Sequence, residues 1–193
     1  MTPSQVGYMA LIALVGLERL VELRLSRRNA EWAFANGGVE YGQAHFRWMK
    51  LLHTGLLLAA PLEVILLGRA FVPALGGAAL ALVILCQALR YWAITTLGRY
   101  WNVRVIVVPG SAPVCRGPYG WVRHPNYLAV ILEGLALPLV HGAWLTATVF
   151  TVLNAWLLAV RIHCEEAALE RHTHVPRAGR APRSRFLPTP RRS

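Results

Sequence analysis

The apolar residues of this chain gather into blocks of about 20, the length a helix needs to cross roughly 30 Å of hydrocarbon. In hydrocarbon every backbone N–H and C=O must find its partner inside the protein, so such blocks fold as membrane helices. The blocks are Gln5–Leu25, Phe46–Leu67, Phe71–Leu97, Pro125–Val140 and Ala143–Ile162. They predict an all-α integral membrane protein with about five transmembrane helices. The first block lacks a basic leader and carries charges where a cleavage site would lie, so it reads as a retained span. Residues 26–35 read as a short helix on the membrane surface, closed by the turn signal Asn36-Gly37-Gly38,. Val103–Val108 reads as an extended piece, and the last span continues as a polar helix through Cys164–His172.

The net charge is +11, with 20 Lys+Arg against 9 Asp+Glu. In a soluble chain this would raise the case for nucleic acid. Here the cations alternate with the spans, so nucleic acid is not an expected partner. Arg24, Arg27, Arg28, Arg47 and Lys50 lie between spans one and two, and Arg99, Arg104, Arg116 and Arg123 between spans three and four. More arginines follow span five, whereas Arg69 stands alone on the other side. The positive-inside rule then puts the N-terminus outside and the C-terminus in the cytoplasm. The Pro- and Arg-rich tail, 173–193, reads as a topology signal or as a contact for anionic membrane lipids. Cys86, Cys115 and Cys164 have no metal-site spacing, so no metal is expected,. Glu18, Arg19, Glu22, His53, Glu63 and Glu133 lie in or near spans, where ionisable groups either mark a proton or substrate path or pair between helices.

Three segments carry chemistry. Leu97–Val105 combines a glycine, aromatics and an extended run, as a wall over a pocket would. In Arg116–Tyr127, Pro125 suits the first turn of span four, which puts His124 at a helix N-terminus. Free N–H groups and the dipole there favour an anion, and Arg116 and Arg123 add charge. The same segment also reads as a basic, aromatic interfacial belt. In Arg161–Glu166, Arg161 and Glu165 are four apart and can pair. The adjacent carboxylates Glu165 and Glu166 can accept hydrogen bonds from ribose hydroxyls or an amino group. They also read as a solvated helix end.

Taken in order, LG-x-x-W, GPY-x-x-x-RHPNY and R-x-x-x-EE resemble the isoprenylcysteine carboxyl methyltransferase family over roughly residues 85–170. The whole chain looks most similar to a bacterial branch associated with alkylpyrone or alkylresorcinol O-methylation. Glu31-Trp32, Val39–Gly42, Leu89–Trp92 and Pro138–Trp144 carry that likeness. The resemblance implies S-adenosylmethionine bound in a cytoplasmic pocket, and a lipophilic acceptor entering from the bilayer of a bacterial inner membrane. It implies a division into a two-helix scaffold (1–70), a methyltransferase core (71–172) and the tail. By position, Gly117, Tyr119, His124, Pro125, Tyr127, Arg161, Glu165 and Glu166 would bind the cofactor. Arg161, Arg104 and His124 are the candidates for stabilising or deprotonating the acceptor. Eukaryotic members carry a histidine where Ser111 stands, and an aromatic tail where this chain has His172-Thr173-His174-Val175-Pro176. Both departures count against a prenylcysteine acceptor. The alternatives are phospholipid N-methylation, since that family shares the RHP and EE elements, or a small transporter using the buried charges.

Overall fold

The computed structural model describes residues 1–112 and 114–172; the tail at 173–193 lies outside the described residues. Each expected span is a helix: α1 (Pro3–Ala35), α2 (Gln43–Leu66), α3 (Pro73–Leu97), α4 (Pro125–Leu139) and α5 (Trp144–His172). Strands β1 (Val39–Tyr41) and β2 (Val105–Val107) pair antiparallel, with Val39 opposite Val107. By length and composition, α2, α3 and α5 can cross a membrane. Helix α4 is apolar but has only 15 residues, or about 22 Å. Helix α1 is long, but Glu18, Arg19 and Glu22 interrupt its apolar run. Large apolar side chains on α5 face outward along one stripe: Leu145, Val149, Val152, Leu153, Trp156 and Val160. Such a face suits lipid rather than water. The protein is an integral membrane protein.

Helix α1 starts with a reciprocal cap: the Thr2 N–H donates to Gln5 Oε1 (2.8 Å) and the Gln5 N–H to Thr2 Oγ1 (3.3 Å),. It then runs unbroken for 33 residues, about 50 Å. The separate surface helix expected over 26–35 is therefore corrected: it is the last part of α1. No breaker separates it from the span, and its buried Ser26, Asn29, Ala30 and Ala33 continue the stripe begun by Glu22. Prolines place other boundaries, Pro125 as expected and Pro73 two residues inside the expected start of the third span. Pro73 and Pro125 occupy first turns, and α4 ends one residue after Pro138,.

The core joins Tyr8, Ile12 and Val15 of α1 to Val64, Val83 and Leu137. The Tyr8 hydroxyl donates to the Leu137 carbonyl (3.2 Å), near the end of α4. Helices α4 and α5 approach closely at Gly134, where a Cβ would lie 2.1 Å from Phe150 Cε1. Glu63 of α2 caps α5 from outside. Its carboxylate accepts from the N–H groups of Leu145 (3.1 Å) and Thr146 (2.7 Å), from the Thr146 hydroxyl (2.7 Å) and from Arg69 Nε (3.0 Å).

The charges inside the bundle pair with one another. Arg90 of α3 grips Glu22 of α1 through Nε (2.5 Å) and a terminal nitrogen (2.6 Å). Arg19 reaches Glu22 (2.8 Å), Gln87 (3.0 Å), Glu133 of α4 (3.1 Å) and Glu18 (3.2 Å). Gln87 also donates to Glu18. This largely buried network ties three helices together. Removing one partner of a buried pair strands the other charge, at a cost of about 3–5 kcal/mol. Glu22→Ala should therefore destabilise the detergent-solubilised protein by that order. Glu18→Ala, whose side chain is 15% exposed, should cost clearly less. Equal effects in equilibrium unfolding would contradict this account.

Candidate active site

Beyond α3 the chain must turn back over one end of the bundle, and Gly98 begins the turn with a φ of +57°. A short 3-10 turn, Gly98–Tyr100, leads to Trp101, Asn102 and β2. The continuation of α1 holds this segment. The Asn29 side-chain amide donates to the carbonyls of Trp101 (2.7 Å) and Gly98 (3.2 Å). Ser26 Oγ donates to Asn102 Oδ1 (2.7 Å) and accepts from the Val103 N–H (3.2 Å). The Asn102 amide returns a bond to the Ser26 carbonyl (3.0 Å). On the other side β1 supports β2, and Glu40 meets Arg104 (3.0 Å).

The next loop folds into a 3-10 turn at Gly117–Gly120. Gly117 adopts a φ of +56° and sits where a Cβ would lie 2.6 Å from Thr96 Oγ1. A side chain there would push the loop off α3. Tyr119 is half-buried; desolvation raises its phenol pKa above the ordinary value, and the Glu165 charge adds to the rise. The phenol therefore keeps its proton and can donate it in a hydrogen bond.

Helix α4 starts and α5 ends at the same place. His124 stands immediately before α4, 7% exposed, with Nε2 3.2 Å from Glu166 Oε1 and its ring stacked 5.3 Å from Tyr127. One turn on, the Tyr127 hydroxyl donates to Glu165 and accepts from Arg161 Nε (2.8 Å). Arg161 also donates to the Val103 carbonyl (2.6 Å). The spacing of Arg161 and Glu165 suggested direct pairing; in the structure they meet through Tyr127.

These elements enclose a cavity of about 460 Å³, within the roughly 300–1,000 Å³ of small-ligand sites. Of the residues singled out from the sequence, Arg104, Tyr119, His124, Tyr127, Glu165 and Glu166 line it. Gly117, Pro125 and Arg161 do not line it: Gly117 seats the loop, Pro125 starts α4, and Arg161 lies behind Tyr127. Arg99, Arg104 and Arg123 supply cations to the lining, and Glu165, Glu166 and Glu170 supply anions. Glu133 belongs to the charge network within the bundle instead.

Several lining residues escaped the sequence reading. Glu170 follows Glu166 by one helical turn, so following the face of Glu166 along the polar helix expected through His172 would have found it. Ala33 closes the cavity from α1. Its signal was the buried series Glu22, Ser26, Asn29 and Ala33 at helical spacing,. Asn126 lies inside the Arg123–Tyr127 motif but was passed over between His124 and Tyr127.

The model of the isoprenylcysteine carboxyl methyltransferase (ICMT) family matches residues 79–171, a range that includes every cavity-lining residue except Ala33. The chain is 39% identical over 164 residues to the uncharacterised protein YpbQ of Bacillus subtilis, covering 84% of this chain and 96% of that one. It is 30% identical over 152 residues to an uncharacterised protein of Haemophilus influenzae, covering 78% of this chain and 88% of that one. Among solved structures it is similar to the eukaryotic intramembrane Ras methyltransferase ICMT, with a TM-score of 0.48 and 20% identity. That match covers 68% of this chain, which spans about half of the eukaryotic one (52%). The chain belongs to the isoprenylcysteine carboxyl methyltransferase family.

Proposed function

We propose that this protein is an S-adenosylmethionine-dependent methyltransferase acting on an oxygen of a lipophilic acceptor that enters from the bilayer. One observation carries the reading: the start of α4 and the end of α5 bound a single cavity whose lining holds both arginines and glutamates. S-adenosylmethionine is itself of mixed charge, with an ammonium and a sulfonium opposite a carboxylate. Glu165 and Glu166 suit its ammonium or ribose hydroxyls, and Arg99 or Arg123 suits its carboxylate. When bound, it supplies a methyl group to an oxygen lone pair while the electrons of the breaking S–C bond return to sulfur.

The protein's own part is positioning and field. Tyr127 and Arg161 fix Glu165, and His124 fixes Glu166. A carboxylate acceptor brings no proton to remove. An acidic enol or phenol would be held as its anion by the arginines of the lining. Arg104 already pairs with Glu40, so Arg99, which has no ion pair among the described residues, is better placed to meet an incoming anion. Arg161 acts through Tyr127 rather than by touching the acceptor. The basic residues flanking the spans favour a cytoplasmic position for this end, in a bacterial inner membrane. The departures at Ser111 and after Glu166 favour an alkylpyrone-type polyketide over an isoprenylcysteine.

Membranes containing the protein, given S-adenosylmethionine labelled in its methyl group, should yield a labelled lipophilic ester or ether. Label in a phospholipid headgroup amine, or no protein-dependent label, would contradict the reading. Glu165→Ala should reduce labelling to about 1% of wild type or less, because it removes the carboxylate and leaves the Tyr127–Arg161 pair without its anion. Tyr127→Phe breaks the link but keeps both charges. It should raise the KM for S-adenosylmethionine about tenfold, the worth of one or two hydrogen bonds. An unchanged KM would exclude the positioning role given to Tyr127.

A further inference from the structure

Helix α1 turns one face to the protein and the other away from it along most of its length. The buried face runs from Tyr8 through Val15 and Glu22 to Ser26, Asn29 and Ala33. The opposite face runs Leu14, Leu17, Val21, Arg24 and Arg28, in alternating steps of three and four residues,. Leu14, Leu17 and Val21 are 64%, 60% and 57% exposed. Arg24, Arg27 and Arg28 are exposed as well. The stripe is thus apolar as far as Val21 and cationic from Arg24 on. Arg24 lies about 31 Å along the helix from Pro3 and about 15 Å from Leu14. Those lengths match the hydrocarbon layer and half of it, about 30 Å and 15 Å. An upright α1 therefore puts Arg24 where hydrocarbon gives way to headgroups, with Arg27 and Arg28 among the headgroups.

The protein offers these three guanidiniums no counter-charge. None of them makes an ion pair among the described residues. Outside that set, Pro113 and residues 173–193 include no Asp or Glu. Glu31 stands one turn further along the same face and pairs with none of the three. The positive-inside rule accounts for cations near this boundary. It does not account for three unpaired ones continuing a single apolar stripe. An anion carrying apolar chains matches that order, because arginines donate charge-assisted hydrogen bonds to phosphate while the chains cover the leucines. A second copy of the chain would match only the apolar half. Inserted in the same sense, it would set its own three arginines against these, and like charges across an interface cost affinity. We propose that this face of α1 binds an anionic phospholipid, its phosphate on Arg24, Arg27 and Arg28 and its acyl chains along Leu14, Leu17 and Val21. The same turns hold Asn102 and Trp101 through Ser26 and Asn29 on their other side, so the site backs onto the wall of the cavity. Lipid binding here is independent of the methyltransferase reading.

The purified full chain in neutral detergent micelles can be titrated with dioleoylphosphatidylglycerol or dioleoylphosphatidylcholine. A ligand of the folded state raises the melting temperature, and the rise gives a midpoint for each lipid. One arginine near an anionic surface is worth about fivefold in affinity. Wild type should therefore show a midpoint at least tenfold lower for the anionic lipid. The triple variant Arg24→Gln, Arg27→Gln, Arg28→Gln should bring the two midpoints within about twofold. The corresponding triple lysine variant should keep most of the preference. The preference is a ratio measured on one protein, so it stays readable even in a less stable variant. Replacing Arg183, Arg185 and Arg191 of the tail with glutamine should leave it in place. Glycerol phosphate, which has the phosphate but no chains, should not raise the melting temperature over the same concentrations. A wild type without the preference, a glutamine variant of α1 that keeps it, or a tail variant that loses it would overturn the site. Glycerol phosphate acting as well as the lipid would mark a site for free anions instead. A wild type that is dimeric in micelles and becomes monomeric on Leu17→Arg would give the face to a second copy.

Discussion

One phenol hydroxyl holds the two ends of the candidate site together. Tyr127 stands in the first turn of α4 and accepts from Arg161 while donating to Glu165, both on α5. Arg161 is 5% exposed and spends its remaining reach on the Val103 carbonyl, so the strand-bearing segment joins the same junction. A guanidinium in so dry a place is tolerable only with such partners. Each group thus fixes the next, and the carboxylate that faces the cavity is the end of the chain. This is how the bundle presents an oriented charge to the cavity.

The same economy governs the rest of the bundle. Charges within the bundle are largely buried, so they must satisfy one another,. Arg19 and Arg90 gather the carboxylates of Glu22, Glu133 and Glu18, joining α1, α3 and α4. At the opposite end Glu63 caps α5. Between these fixed points α1 runs on past the span and uses Ser26 and Asn29 to hold the wall of the cavity. The N-terminal helices are therefore more than a scaffold beside the core: Ala33 and the partners of Trp101 and Asn102 come from α1.

Much of this was legible because the bilayer limits the choices. Blocks of apolar residues had to be helices, Pro125 had to lie in a first turn, and Val103–Val108 had the look of a strand. The cavity's location followed from two motifs meeting at one end. What could not be read depended on contacts distant in sequence. Residues 26–35 are polar enough to pass for a surface helix; only their packing against 98–104 makes Ser26 and Asn29 buried. Arg161 and Glu165 have the spacing of an ion pair, but a tyrosine 34 residues earlier in the chain comes between them. Glu133 shares a helix with Tyr127, yet two turns carry it out of the site and into the charge network. Spacing along a helix gives the face, and the neighbouring helices decide what that face meets.

The central claim is that the methyl donor occupies the cavity between the start of α4 and the end of α5. Ultraviolet cross-linking of methyl-labelled S-adenosylmethionine to the purified protein, followed by peptide mapping, tests it directly. The label should fall within residues 98–127 and 161–172 and disappear with excess S-adenosylhomocysteine. Displaceable label confined to α1 or α2, or label that excess competitor does not reduce, would contradict it.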